Sequence, residues 1–131
     1  MSKYQAQAQA QVQNREPFKV LDKSKELAKK VYNITRLLPS EERYGLINQM
    51  RRSAISVASN IAEGRERKTK DNINFIRIAR GSLYELQVQL EITMETYSNT
   101  FIVCKDALEL LDEIGKMTYG LSRSLSLRTE K

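Results

Sequence analysis

A helical period decides the fold class, and it is clearest in residues 74–97, NFIRIARGSLYELQVQLEITMETY. Apolar side chains recur there at intervals of three and four residues, from Phe75 through Leu83 and Leu90 to Tyr97. This spacing places a heptad-like seam on one side of an α-helix. A helix from Thr69 to Tyr97 would span roughly 40 Å at about 1.5 Å per residue. The stretch therefore predicts one long helix that packs along its whole length.

Three other segments repeat this pattern. The first runs from Pro17 to Leu38 and stops at Pro39, because proline disfavours helical backbone in the residue before it. The second is predicted to start at Ser40 and to end at Gly64, in a left-handed conformation that glycine adopts easily. The last follows a break at residues 98–100. Its seam has six apolar members, Val103, Ala107, Leu110, Ile114, Met117 and Leu121.

Four amphipathic helices joined by short connections are typical of an antiparallel up-down-up-down four-helix bundle. The scarcity of turn formers agrees, since the 131 residues include only 5 Gly and 2 Pro. We predict an all-α bundle at residues 17–127. A Gln/Ala-rich tail at residues 1–16 and a short tail at residues 128–131 are expected to lie outside it.

Two further features of the helices concern packing. A second apolar row, Cys104, Leu108 and Leu111, lies beside the seam of the last helix and indicates either a broad core face or a surface for self-association. Glycine inside a helix costs up to about 1 kcal/mol relative to alanine. Close approach of a neighbouring helix is the expected reason for Gly81, Gly115 and Gly120.

The composition excludes most catalytic sites. The chain has no His and one Cys, which removes Ser-His and Cys-His nucleophiles and the usual zinc clusters. Gly-rich loops that cradle phosphates are absent from the sequence, and no run approaches the roughly 20 apolar residues of a membrane span. We expect a non-enzymatic cytoplasmic protein with no catalytic residue, metal or cofactor and no contact with a membrane.

Positive charge is concentrated in the first part of the chain. The net charge is +6, yet residues 1–80 carry 17 cations and 8 anions whereas residues 81–131 carry 5 and 8. Lys and Arg near phosphates release counterions, so this excess predicts a surface for RNA or DNA. A solvated face that only aids solubility is the alternative. The predicted nucleic-acid-binding residues are Lys19, Lys23, Lys29, Lys30, Arg65, Arg67, Lys68 and Lys70.

One polar stripe on the second helix differs from the core pattern. Arg52, Ser56, Asn60 and Glu63 follow one another at intervals of three and four residues and so share a helical face. The stripe is predicted to contact phosphate or another subunit, or to form a polar network that keeps neighbouring helices in register. The network is the favoured interpretation.

Residues 42–64, ERYGLINQMRRSAISVASNIAEG, resemble the signature of the four helix bundle protein family, whose founding members are encoded in intervening sequences of bacterial 23S ribosomal RNA genes. FIRIARGSLYEL at residues 75–86 and EIGKM at residues 113–117 resemble its later motifs. The resemblance covers roughly residues 18–125 and implies antiparallel bundles that assemble as homopentameric rings, without enzymatic activity.

The same family includes the accessory variability determinant of diversity-generating retroelements, which binds nucleic acid and a reverse transcriptase. The resemblance therefore implies two functions. One is direct binding of nucleic acid by a homo-oligomer, and the alternative is a protein-interaction scaffold such as an accessory subunit of a retroelement reverse transcriptase.

Overall fold

The computed structural model describes the backbone of residues 16–129 and the side chains of residues 19–128. It contains four long helices and no strand within this part of the chain: α1 (Glu16–Thr35), α2 (Asn48–Arg65), α3 (Thr69–Thr96) and α4 (Phe101–Thr129). The all-α prediction is confirmed. Except for Glu16, the predicted Gln/Ala-rich tail lies outside the described residues, and so do residues 130–131.

Consecutive helices pack against each other, and α1 also packs against α4, in the neighbour order of an up-down-up-down bundle. Two ion pairs between α1 and α4 give the direction. Lys23 Nζ lies 2.9 Å from Glu113 Oε1, and Lys30 Nζ lies 2.6 Å from Asp106 Oδ2. The partner's number falls as the number along α1 rises, so these helices are antiparallel. The bundle has four outer faces, and the α1/α2 and α3/α4 faces lie opposite each other.

The core consists of one apolar strip from each helix. In α3 the seam residues Leu83, Leu86 and Leu90 are buried, as the heptad spacing predicts. In α4 the predicted first member is wrong, because Val103 is 39% exposed and the neighbouring Cys104 is fully buried. The core-facing strip of α4 begins with Cys104 and continues through Ala107, Leu111, Ile114 and Leu125.

The second apolar row of α4 widens the core face and does not form a surface for self-association. Cys104 and Leu111 are buried in the core, and Leu108 packs against it. Burial also raises the pKa of the Cys104 thiol above its usual value. This side chain therefore behaves as a small apolar residue of the core.

The second helix does not begin at Ser40 as predicted. Ser40–Glu42 forms a short 3-10 turn and Arg43–Ile47 a wider turn, before regular helix starts at Asn48. Gly45, with φ and ψ both −111°, departs from helical geometry and separates these turns from α2. The Tyr97 hydroxyl donates a hydrogen bond of 2.6 Å to Glu42 Oε2, which fastens this connection to the end of α3.

The left-handed conformation predicted for Gly64 is also wrong. Among the described residues no glycine has a positive φ, and α2 continues through Arg65. Gly64 is buried where α2 meets the start of α3, and a Cβ there would lie 2.7 Å from Asn72 Oδ1 and 2.9 Å from Phe75 Cβ. Close approach of α3, and not backbone freedom, is what requires glycine here.

No neighbouring helix approaches the other helical glycines closely. Apart from the backbone of their own helix and their chain neighbours, no atom of the described residues lies within 4 Å of a Cβ built at Gly81, Gly115 or Gly120, so the close helix approach predicted for them is wrong. These positions leave open space at the surface of α3 and α4.

Candidate nucleic-acid interface

The predicted cations do not form one continuous surface. Lys23 and Lys30 lie on the α1/α4 face, where each is paired with a carboxylate of α4. The hydrogen bond to Asp106 is the main cause that raises the pKa of the Lys30 ammonium above its usual value. These two lysines neutralise acidic side chains within the chain, which reduces the charge that they offer to a ligand.

The connection between α2 and α3 is also partly neutralised. Arg65 Nε lies 3.3 Å from Glu66 Oε1, and Arg67 Nε donates a hydrogen bond of 3.1 Å to Glu63 Oε1. The Arg67 guanidinium lies 5.6 Å from the centroid of the Phe75 ring. This connection lies at the end of the bundle where α1 begins. Lys19, Lys68 and Lys70 are exposed there and have no carboxylate partner among the described side chains.

A different set of cations meets on the α1/α2 face. We name this site the α1/α2 groove. It is open and has two adjoining parts, of about 480 Å³ and 440 Å³, which share Tyr32 and Ile55. Four cations line it and none of its lining residues carries a carboxylate. The cations are Lys29 in α1, Arg36 directly after its last residue, and Arg51 and Arg52 in α2.

Polar contacts hold two of these cations in place without neutralising them. Arg51 Nε donates a hydrogen bond of 2.9 Å to Thr35 Oγ1, and its guanidinium lies 4.5 Å from the centroid of the Tyr32 ring. Arg36 Nη1 donates a hydrogen bond of 2.7 Å to Asn33 Oδ1. Neutral acceptors and an aromatic face orient a guanidinium and leave its full charge available to an anion.

The sequence interpretation included Lys29 and Arg52 but did not bring them together, and it left Arg36 and Arg51 out of the site. The signal in α1 was the spacing of Lys29, Tyr32 and Arg36, three and four residues apart, which places them on one strip. Which neighbouring helix that strip would face depends on the packing of the bundle, and this was not predicted from the sequence.

The predicted polar stripe divides into three parts. The Ser56 and Ser82 hydroxyls share a hydrogen bond of 2.8 Å between α2 and α3. Asn60 Nδ2 donates to the Ser56 carbonyl at 2.8 Å and to its hydroxyl at 3.1 Å. Glu63 pairs with Arg67, and Arg52 lines the α1/α2 groove. Ser56 and Asn60 thus form hydrogen bonds within α2 and to α3, and Ser56 also lines the α1/α2 groove.

The α3/α4 face is apolar where the α1/α2 groove is cationic. Tyr84 of α3 and Tyr119 of α4 line this face and are 60% and 53% exposed. Val88 and Phe101 expose further apolar surface on the same two helices. A cavity of about 330 Å³ opens between these helices. Arg80 crosses it and donates a hydrogen bond of 2.8 Å to the Gly115 carbonyl.

Among the described residues no group of three or more Cys, Asp or Glu side chains is arranged to hold a metal ion. None of the described helices is long and apolar enough to cross a membrane.

Comparison with known proteins identifies the family. The model of the family described as 23S rRNA-intervening sequence protein matches residues 16–120. The chain belongs to this family. A solved structure of a protein of unknown function from Bacteroides thetaiotaomicron, assigned to the S23 ribosomal protein family, is similar with a TM-score of 0.75 and 26% sequence identity. The similarity covers 83% of this chain and 99% of that one. No curated protein matches the sequence.

Proposed function

We propose that this member of the 23S rRNA-intervening sequence protein family binds the phosphate backbone of RNA or DNA in the α1/α2 groove, as a cytoplasmic protein without enzymatic activity. The observation that carries the proposal is the convergence of four cations, from α1, the residue that follows it and α2, with no lining carboxylate. Such a groove attracts polyanions and binds them in a salt-dependent manner. The exposed lysines at the start of α1 and in the α2–α3 connection extend the positive field toward one end of the bundle.

A pair of charge-reversal variants tests the site. Arg36→Glu combined with Arg52→Glu lowers the net charge from +6 to +2. The matched control, Arg43→Glu combined with Arg123→Glu, makes the same change at two exposed cations that line neither the groove nor the cavity between α3 and α4. We expect the groove variant to lose most of its affinity for a labelled oligo-uridine strand, measured by fluorescence anisotropy, and the control to lose far less. Equal losses would mean that only overall charge matters and would overturn the groove assignment.

Salt gives a second readout. If four phosphates of a single strand are neutralised, affinity should fall about fifty-fold between about 50 and 200 mM salt. The groove variant retains two of the four cations, so its affinity should fall about seven-fold over the same range. No binding by the wild-type protein at low salt would contradict the proposed function itself.

The protein is further proposed to act as a homo-oligomer, a pentamer by family resemblance, that associates through the α3/α4 face. Two observations support this surface. Exposed tyrosines from both helices, Tyr84 and Tyr119, line it. The charges beside them, Arg80, Asp112 and Lys116, have both signs and suit a second copy of the chain. The groove, by contrast, would repel its own copy.

A protein-interaction scaffold, such as an accessory subunit of a reverse transcriptase, stays the alternative prediction. It requires that the free protein binds nucleic acid weakly and that the basic surface meets an acidic partner. The binding measurements above distinguish these functions.

A further inference from the structure

We infer that the α1/α2 groove takes single-stranded nucleic acid and seats one unpaired base against Tyr32 and Ile55. This inference rests on the proposed function and goes beyond it, because a groove that only held phosphates would need cations alone. The groove has an apolar floor as well. Ile55 is 46% exposed in the midst of four cations, and it lines both parts of the groove together with Tyr32.

The geometry around the Tyr32 ring suits a stacked base. The Arg51 guanidinium lies over the ring at 4.5 Å from its centroid and is itself anchored on Thr35 Oγ1. The part of the groove that Arg51 does not line contains the same ring beside Ala28 and Ile55. An aromatic ring fixed by a cation and bordered by an open apolar cavity is a platform on which any base can stack, since every base has a π-face.

Cations and amides surround this platform at the distances that a strand requires. Lys29 precedes Tyr32 by three residues and Arg36 follows it by four, so along α1 the two cations lie roughly 10 Å apart with the ring between them. They can therefore contact phosphates on both sides of a stacked nucleotide. Asn33 and Asn48 line the two parts of the groove and supply polar groups for the edge of a base. A base paired in a duplex cannot enter, because its π-faces are covered by its neighbours.

The test compares Tyr32→Leu, Tyr32→Phe and the groove charge-reversal variant on two probes, an oligo-uridine strand and a duplex of the same length. We expect Tyr32→Leu to lose about ten-fold in affinity for the single strand and to keep its affinity for the duplex. Tyr32→Phe keeps the aromatic ring and should retain single-strand binding. The charge-reversal variant should lose affinity for both probes, since both carry phosphates.

The outcomes separate this inference from the proposed function. If Tyr32→Leu binds the single strand as well as wild type while charge reversal abolishes binding, the base site is wrong and phosphate binding in the groove stands. Equal loss for strand and duplex in Tyr32→Leu, or loss in Tyr32→Phe, would also overturn the base site. If wild type binds neither probe, the proposed function fails first. Because the chain has no Trp, quenching of tyrosine fluorescence by the single strand, absent in Tyr32→Leu, gives a direct signal of stacking.

Discussion

The two opposite faces of the bundle differ in chemical character, because one exposes cations without carboxylate partners among the described side chains and the other exposes apolar side chains. On the α1/α2 face, four cations surround the exposed Ile55 without a carboxylate among the lining residues. On the α3/α4 face, Tyr84 and Tyr119 expose apolar surface, and the cations there have acidic neighbours such as the Asp112 partner of Lys116. Unpaired charge suits a polyanion, whereas apolar surface with balanced charge suits another protein surface. A helix bundle can separate the two functions because its opposite faces share only the core.

Tyr84→Asp and Ile55→Asp put this difference to its strongest test, because both wild-type side chains are exposed and each lines only one of the two faces. If the α3/α4 face is the self-association surface, Tyr84→Asp buries a carboxylate in the interface and should raise the dissociation constant of the assembly at least thirty-fold, or about 2 kcal/mol. Ile55→Asp should leave the assembly intact and weaken nucleic-acid binding. Multi-angle light scattering against concentration measures the first effect and anisotropy the second. Dissociation by Ile55→Asp alone would reverse the assignment of the faces.

A pair of glycine variants is expected to give the next largest effect. Gly64→Ala forces a methyl group against Asn72 and Phe75 at the α2/α3 junction, and overpacking of this kind should lower the free energy of unfolding by about 2 kcal/mol. Gly81→Ala meets open space on the α3/α4 side and should raise it by up to about 1 kcal/mol through helix propensity.

Urea denaturation of the two glycine variants measures both shifts. A neutral Gly64→Ala would mean that the α2/α3 junction can relax around an added methyl group. A destabilised Gly81→Ala at low protein concentration would contradict the open surface.

These glycines also indicate what a sequence can and cannot reveal here. The heptad spacing of α3 predicted its buried residues because that information is local to one helix. Gly64 was misread because its role depends on atoms of another helix, at Asn72 and Phe75. The sequence indicated that position 64 requires glycine. It could not distinguish close packing against a neighbouring helix from a special backbone conformation as the reason.

The sequence predicted only part of the candidate site, because the rest also depends on which helices face each other. Lys23 and Lys30 are seven residues apart on α1, and their partners Asp106 and Glu113 are seven apart on α4. Matching intervals of opposite charge on two amphipathic helices are a usable sign of pairing. The groove offered no such sign, because a site without carboxylates has no complementary pattern elsewhere in the chain.

Two residues of the polar stripe on α2 are expected to differ in their effects on stability and on nucleic-acid binding, and both effects are smaller. Asn60→Ala removes two hydrogen bonds to Ser56 and should lower the free energy of unfolding by about 1 kcal/mol without changing nucleic-acid affinity. Arg52→Ala removes an exposed cation of the groove and should change stability by less than about 0.5 kcal/mol while it weakens binding. Thermal melts and anisotropy on the same samples separate the two roles. Loss of affinity in a fully folded Asn60→Ala variant would extend the interface along the stripe.

The smallest expected effect concerns the hydrogen bond that links the two faces at one end of the bundle. The Tyr97 hydroxyl on the α3 side donates to Glu42 in the α1–α2 connection, and this bond, with partial burial, raises the pKa of Tyr97 from 10.0 to about 12. The folded state therefore favours the protonated phenol. The resulting stabilisation is complete below pH 10 and is lost as the pH rises from about 10 to about 12.

Tyr97→Phe should accordingly be less stable than wild type at neutral pH, and this difference should disappear as the pH approaches 12. When phenolate absorbance is followed in an alkaline titration of the folded Tyr97→Phe variant, the last ionisation step of the wild-type protein should also be missing. Tyr44→Phe is the matched control, because Tyr44 is 86% exposed in the same connection and its removal should leave that step in place. If the late step persists in Tyr97→Phe, another tyrosine is the protected one and the two faces are not joined through Glu42. If it disappears, the end of α3 is held to the α1–α2 connection by a hydrogen bond that is lost when Tyr97 ionises.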